Sequence, residues 1–395
     1  NNMKKFFNVA LLSIAMSANA GNDVKDNRWT GTWAAAPQLA AGKDMPAETD
    51  LSGMSLRQIV RVSVGGDVLR LQLSNEYSKT PVEIKSVYIA DAEDSCVIDK
   101  SSAKYLTFGK KRNVTIAAGK AVMSDAVKFD LKPLQRLAIT INYGSTPSEA
   151  TSHLGSRTTS YIIKGVSKPG SDFSKGIKVD HWYNISAIDI CGNENSAVAV
   201  LGNSITDGRG STTNMQNRWT DILATNLQTG GKNLAVLNLG IGGNCVLNGG
   251  LGTPAMQRYD RDILAQRGVS AVVIFEGVND LGSINGNSEA MAAKLIEAYQ
   301  QLAKKARERG YKVYGATITP FAGHSYFTFF REAARQAVNE WIRTSGTFDD
   351  VIDFDKLMRD PSESSKLKAD LQDDWLHPNA AGYKVMGEYA AKIIK

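Results

Sequence analysis

Ala197-Val198-Ala199-Val200-Leu201-Gly202-Asn203-Ser204-Ile205-Thr206-Asp207-Gly208 is the stretch on which the fold of this chain turns. Its apolar run is too short for an independent helix and lacks the alternation of a strand with one wet face, so it reads as a strand buried on both sides. The serine that follows stands on a tight turn, where a hydroxyl emerges at the sheet's edge among outward-pointing amides. Further apolar runs come at 235–239, 271–275, 313–318 and 351–354, each followed by a turn containing Gly, Asn or Pro. Between and after them, around 218–228, 289–309, 331–342 and 380–394, apolar residues recur at three and four, the helical period. Strands alternating with helices predict an α/β domain with a parallel sheet, whose site lies beyond the carboxyl ends of its strands.

Upstream the period changes to two. Val60, Val62 and Val64 alternate with Arg61 and Ser63, Gly65-Gly66-Asp67 interrupts, and Leu69, Leu71 and Leu73 alternate with Arg70 and Gln72. That pattern predicts a β-hairpin whose glycines supply a positive φ at the turn. Leu137, Ile139, Ile141 and Tyr143 repeat the alternation. An antiparallel β-sandwich or jelly-roll-like domain is expected over 28–192 and the α/β domain over 196–395, with the polar Cys191-Gly192-Asn193-Glu194-Asn195 between them. A chain of 395 residues is long enough for two such domains.

Met3-Lys4-Lys5, the apolar run 6–16 and Ala18-Asn19-Ala20 read as a signal peptide over 1–20, cleaved after Ala20, so a secreted or periplasmic protein is expected. No run approaches the ~20 apolar residues of a membrane-spanning helix, so no stable membrane insertion is expected. The formal net charge of +6 falls to +4 without Lys4 and Lys5, and the remaining cations are scattered; no nucleic-acid partner is expected. The three cysteines permit a Cys96–Cys191 disulfide or buried free thiols. Four histidines, none at helical ligand spacing, give no metal site. Oligomeric state is not written in these patterns.

Three later motifs join Ser204. Asn238-Leu239-Gly240-Ile241-Gly242-Gly243-Asn244 closes the second apolar run, where glycine lets backbone amides approach a ligand; the rival reading, a dinucleotide loop, lacks the GxGxxG spacing. Glu276-Gly277-Val278-Asn279-Asp280 closes the third and offers a side-chain amide to an oxyanion, or else an Asx turn. Asp374-Trp375-Leu376-His377-Pro378-Asn379 precedes the last helix. A carboxylate three residues before a histidine can accept its Nδ1 hydrogen and leave Nε2 free to take a serine proton.

Ser204, the glycine block, Asn279 and Asp374-x-x-His377, in that order, resemble the SGNH (GDSL-like) hydrolase superfamily. The resemblance implies a flavodoxin-like three-layer α/β/α domain and a serine esterase with no cofactor. By it Ser204 is the nucleophile, His377 the base and Asp374 its orienting partner, with Asp373 a weaker candidate. The Ser204 amide, the Gly243 amide and the Asn279 side chain form the oxyanion hole, with Gly242 as runner-up to Gly243. The family's first block reads Gly-Asp-Ser, and here Asn203 takes the Asp position. Gly31-Thr32-Trp33-Ala34-Ala35-Ala36-Pro37, and the segment from Leu56-Arg57-Gln58-Ile59-Val60-Arg61 through Leu73-Ser74-Asn75, look like the β-domain of a secreted bacterial subfamily with xylan-associated members. That likeness implies acylated, chiefly O-acetylated, plant-type carbohydrate as substrate, against lipid or small aryl esters, or a carbohydrate-binding protein whose hydrolase site has decayed.

Overall fold

The computed structural model describes residues 29–192 and 195–395. The expected signal peptide lies outside the described residues.

In the C-terminal half, strands Ser196–Gly202, Leu234–Gly240, Val269–Phe275, Lys312–Ala316 and Asp350–Ile352 form one sheet in which every neighbouring pair is parallel. Ala197 through Leu201 have no exposure at all, which is why their sequence is unbroken rather than alternating. Leu234–Gly240 forms one edge, Ser196–Gly202 lies next to it, and the later strands follow in order. The chain thus runs one way from its first strand and then reverses. With right-handed crossovers, that reversal puts helix Trp219–Thr229 on one face and helices Ser288–Glu308 and Phe329–Thr344 on the other. The packing agrees: Trp219–Thr229 lies against Ala380–Ile393, and Ser288–Glu308 against Phe329–Thr344. Ser204 follows the strand at which the order reverses, the usual position of a ligand crevice.

The N-terminal half is antiparallel. A seven-stranded sheet holds Met54–Arg61, Arg136–Tyr143 and Val82–Ala92, and a five-stranded sheet holds Trp29–Ala34, Ile185–Cys191 and Gly66–Asn75. The expected hairpin is therefore corrected. Met54–Arg61 pairs with Arg136–Tyr143 and Ser160–Lys164, whereas Gly66–Asn75 pairs with Ile185–Cys191 in the other sheet. Alternation reports which face of a strand is buried and is silent about the partner strand. The glycines serve a different purpose as well, since neither Gly65 nor Gly66 has a positive φ. A Cβ on Gly65 would collide with the Leu131 carbonyl oxygen and Pro133, so the residue permits close packing at a corner between sheets.

The two halves share one apolar core. They also meet at the edge of the parallel sheet, where the Ser63 hydroxyl donates to the Val236 carbonyl and accepts from the Val236 amide, both at 3.0 Å. The Gly31 amide donates to the Arg267 carbonyl at 2.9 Å. Cys96 and Cys191 do not pair: all three cysteines are free, Cys191 ending a strand of the five-stranded sheet and Cys96 following a strand of the seven-stranded one. Among the described residues no helix is long and apolar enough to cross a membrane.

Candidate active site

Strand Ser196–Gly202 passes directly into the single-turn helix Ser204–Asp207. Asn203 caps it, its Oδ1 accepting the Ile205 amide at 3.1 Å, and Gly208 closes it at φ 101°, a conformation open to glycine. The cap also ties the turn to the third strand, because Asn203 Nδ2 donates to Glu276 Oε2 at 3.1 Å.

His377 arrives from the loop before helix Ala380–Ile393, and its Nε2 lies 2.8 Å from Ser204 Oγ. Its Nδ1 faces Asp374, 2.8 Å from Oδ2 and 3.0 Å from Oδ1. Asp374 Oδ1 further accepts the backbone amides of His377 at 2.8 Å and Leu376 at 3.1 Å, so the carboxylate is seated before it holds the ring. Asp373 makes a different contact, its amide donating to the His377 carbonyl. Burial favours a neutral Asp374, but the His377 amide and ring outweigh it and bring the carboxyl down to about 2. Burial also lowers the His377 pKa, against the opposing pull of Asp374, so the ring favours the neutral form at neutral pH.

Asn279, on helix Val278–Ser283 after the third strand, is 4% exposed. Its Nδ2 donates to the Asn244 carbonyl at 2.8 Å, and its Oδ1 accepts the Tyr326 hydroxyl at 2.8 Å. A carbonyl can only accept, which fixes the amide's orientation and leaves Nδ2 a second hydrogen. Asp280 accepts the Val246 and Leu247 amides at 2.8 and 3.0 Å, holding the loop that carries Gly242 and Gly243. Gly243 is at φ 69°, and among the described residues no other group engages its amide or that of Ser204. Asn244 is braced by the buried Arg258, whose other nitrogens bond the Leu239 and Gly202 carbonyls at the ends of the first two strands.

Ser204, Gly242, Gly243, Asn279, Asp374 and His377 all line one cleft of about 920 Å³. Such a set can transfer a proton from a hydroxyl to an imidazole and stabilise an oxyanion with several donors. Sequence reasoning missed the groups that hold the set: Tyr326, Arg258, and the buried pair of His153 Nε2 with Asp207 Oδ1 at 2.6 Å, which links the β-domain to the Ser204 helix. Asp207 lies inside the first motif, but nothing local marks His153 as its partner.

Residues 200–385 match the GDSL-like Lipase/Acylhydrolase family. No curated protein matches the chain. Among solved structures it is similar to a G-D-S-L family protein from Desulfitobacterium hafniense DCB-2, at 23% identity over 50% of this chain and 99% of that one, with a TM-score of 0.40. It is likewise similar to a lipase/acylhydrolase from Enterococcus faecalis, at 20% identity over 50% and 94% of the two chains and a TM-score of 0.39. An acetyl xylan esterase, AlAXEase, is 19% identical over 50% of this chain and 98% of its own, with a TM-score of 0.37. The parallel-sheet half of the chain, behind its antiparallel β-rich partner, is thus a domain of the GDSL-like lipase/acylhydrolase (SGNH) family.

Proposed function

We propose that this chain is an exported serine esterase that removes acyl groups, chiefly O-acetyl, from carbohydrate through an acyl-enzyme. The observation that carries the esterase reading is the unbroken relay Ser204 Oγ to His377 Nε2 to Asp374 at 2.8 Å per step, set in a cleft. Ser204 attacks the ester carbonyl while His377 takes its proton and returns it to the departing alcohol; water then releases the acyl group by the same relay. The developing oxyanion is met by the Ser204 and Gly243 amides and the remaining Asn279 hydrogen. Tyr326 and the Asn244 carbonyl hold Asn279 in place beforehand. The carbohydrate preference rests on the β-domain's place in the cleft wall and on the signal-like N-terminus. Small or lipid esters are the second reading, favoured by Leu39 and Leu251, which line the cleft while 43% and 65% exposed.

Ser204→Ala should lose p-nitrophenyl acetate hydrolysis by at least about 10³-fold with its circular dichroism unchanged. Full turnover by the purified variant would remove Ser204 as nucleophile. Acetate release from acetylated xylan, measured beside fatty-acid release from phospholipid, separates the two substrate readings.

A further inference from the structure

One wall of the cleft belongs to the β-domain: Leu154, Gly155 and Arg157, between strands Ala150–His153 and Ser160–Lys164, line the same opening as Ser204 and His377. Arg157 is held at φ 50°, a conformation that costs a non-glycine residue free energy and persists where the surroundings enforce it. Its Nε is buried without a hydrogen-bond partner. Its Nη2 reaches Asp207 Oδ2 at 3.4 Å, a long contact.

Asp207 is shared between this guanidinium, at 3.4 Å, and the His153 ring, at 2.6 Å, so one carboxylate faces two donors. The His153 ring lies 2.8 Å from the Ala36 carbonyl through Nδ1 and 2.6 Å from Asp207 Oδ1 through Nε2. The carbonyl accepts only, so Nδ1 carries a hydrogen. A neutral ring would then turn its lone pair toward the carboxylate; the short link must hold a further proton, and on either atom that proton leaves the pair with no net charge. The other cleft charges also offset one another. Arg209 stands 3.9 Å from the ionised Asp374, and Lys43 lines the cleft beside Asp44. Among the described residues Arg157 has only this shared carboxylate, and its Nε has no partner, in a partly dehydrated wall where a charge-assisted bond is strong.

Building on the esterase reading, we propose that Arg157 recognises a carboxylate on the alcohol portion of the substrate, so that the preferred ester is an acylated acidic sugar rather than a neutral one. The acyl group, if acetyl, has no charge to offer, so the carboxylate belongs to the leaving side. A guanidinium suits a carboxylate through paired N–H donors, and an ammonium does not reproduce that fork.

The test compares acetate release from acetylated methyl glucuronide and acetylated methyl glucoside, with p-nitrophenyl acetate as a reference ester. The wild type should favour the glucuronide in kcat/KM by about tenfold, a single charge-assisted contact's worth, and the preference should shrink with added salt. Arg157→Gln should bring the ratio close to 1 and Arg157→Lys should keep only part of it. The ratio is read on one enzyme sample, so partial unfolding of a variant does not alter it. A wild-type ratio near 1, or a ratio retained in Arg157→Gln, overturns the proposal, as does hydrolysis of p-nitrophenyl acetate with neither sugar touched. Inactivity of the wild type on all three esters overturns the esterase reading itself.

Discussion

Asn279 is fixed by one hydrogen bond given to Asn244 and one received from Tyr326, and on the proposed reading its remaining hydrogen meets the oxyanion. Asn279→Asp keeps the shape but sets a negative acceptor where the oxyanion forms. It should lower kcat about 10²–10³-fold with little change in KM. Activity lost only in proportion to folded protein would return Asn279 to a structural role. The buried His377 makes a second prediction. In the proposed relay its neutral form accepts the serine proton, so kcat/KM should fall as pH drops through its pKa, and because burial lowers that pKa the acid limb should lie below the ordinary histidine value. Asp374, at about 2, stays ionised across that range. A limb centred above the ordinary value would contradict a buried, neutral ring. The nearness of Asp374 to His377 was legible in the sequence because three residues separate them. Tyr326 was not, since it reaches Asn279 from 47 positions away.

At the scale of elements, the helix Ser204–Asp207 is a single turn that owes its position to the strands around it. Asn203 bonds both the helix's Ile205 amide and Glu276 at the end of the neighbouring strand. Burial pushes Glu276 up to about 8, Arg258 opposing, and burial likewise raises Asp280 to about 6. An unfolded glutamate titrates near 4.3, so between that pH and about 8 the folded state holds the extra proton and stability falls as pH rises. The melting temperature should therefore decline across this window, and Glu276→Gln should flatten the slope, leaving the smaller part due to Asp280. An unchanged slope would mean that Glu276 is ionised throughout. Strands and helices of the α/β half were legible because full burial and the helical period each leave a distinct pattern, as at Ala197–Leu201. The corner at Gly65-Gly66 was not, because alternation on both sides of it describes two strands without saying that they belong to different sheets.

At the scale of the whole molecule, the β-domain places His153 against Asp207 and Arg157 in the cleft wall, so the candidate crevice is shared between the two halves. That sharing left little trace in the sequence: His153 and Asp207 lie 54 positions apart, and each looks ordinary where it stands. The Ser63 hydroxyl has the broadest reach of these contacts. By satisfying both the amide and the carbonyl of Val236, it stands where a further strand would otherwise add to Leu234–Gly240. A truncated chain starting at Ser196 would leave that margin unguarded, with the apolar residues beneath it facing water. Such a fragment should self-associate, giving large species by light scattering and poor recovery from the cytosol of an expression host; a monodisperse monomer with native circular dichroism would show otherwise. One serine hydroxyl thus sits at a pairing position on the sheet's margin that a second copy of the strand would otherwise fill.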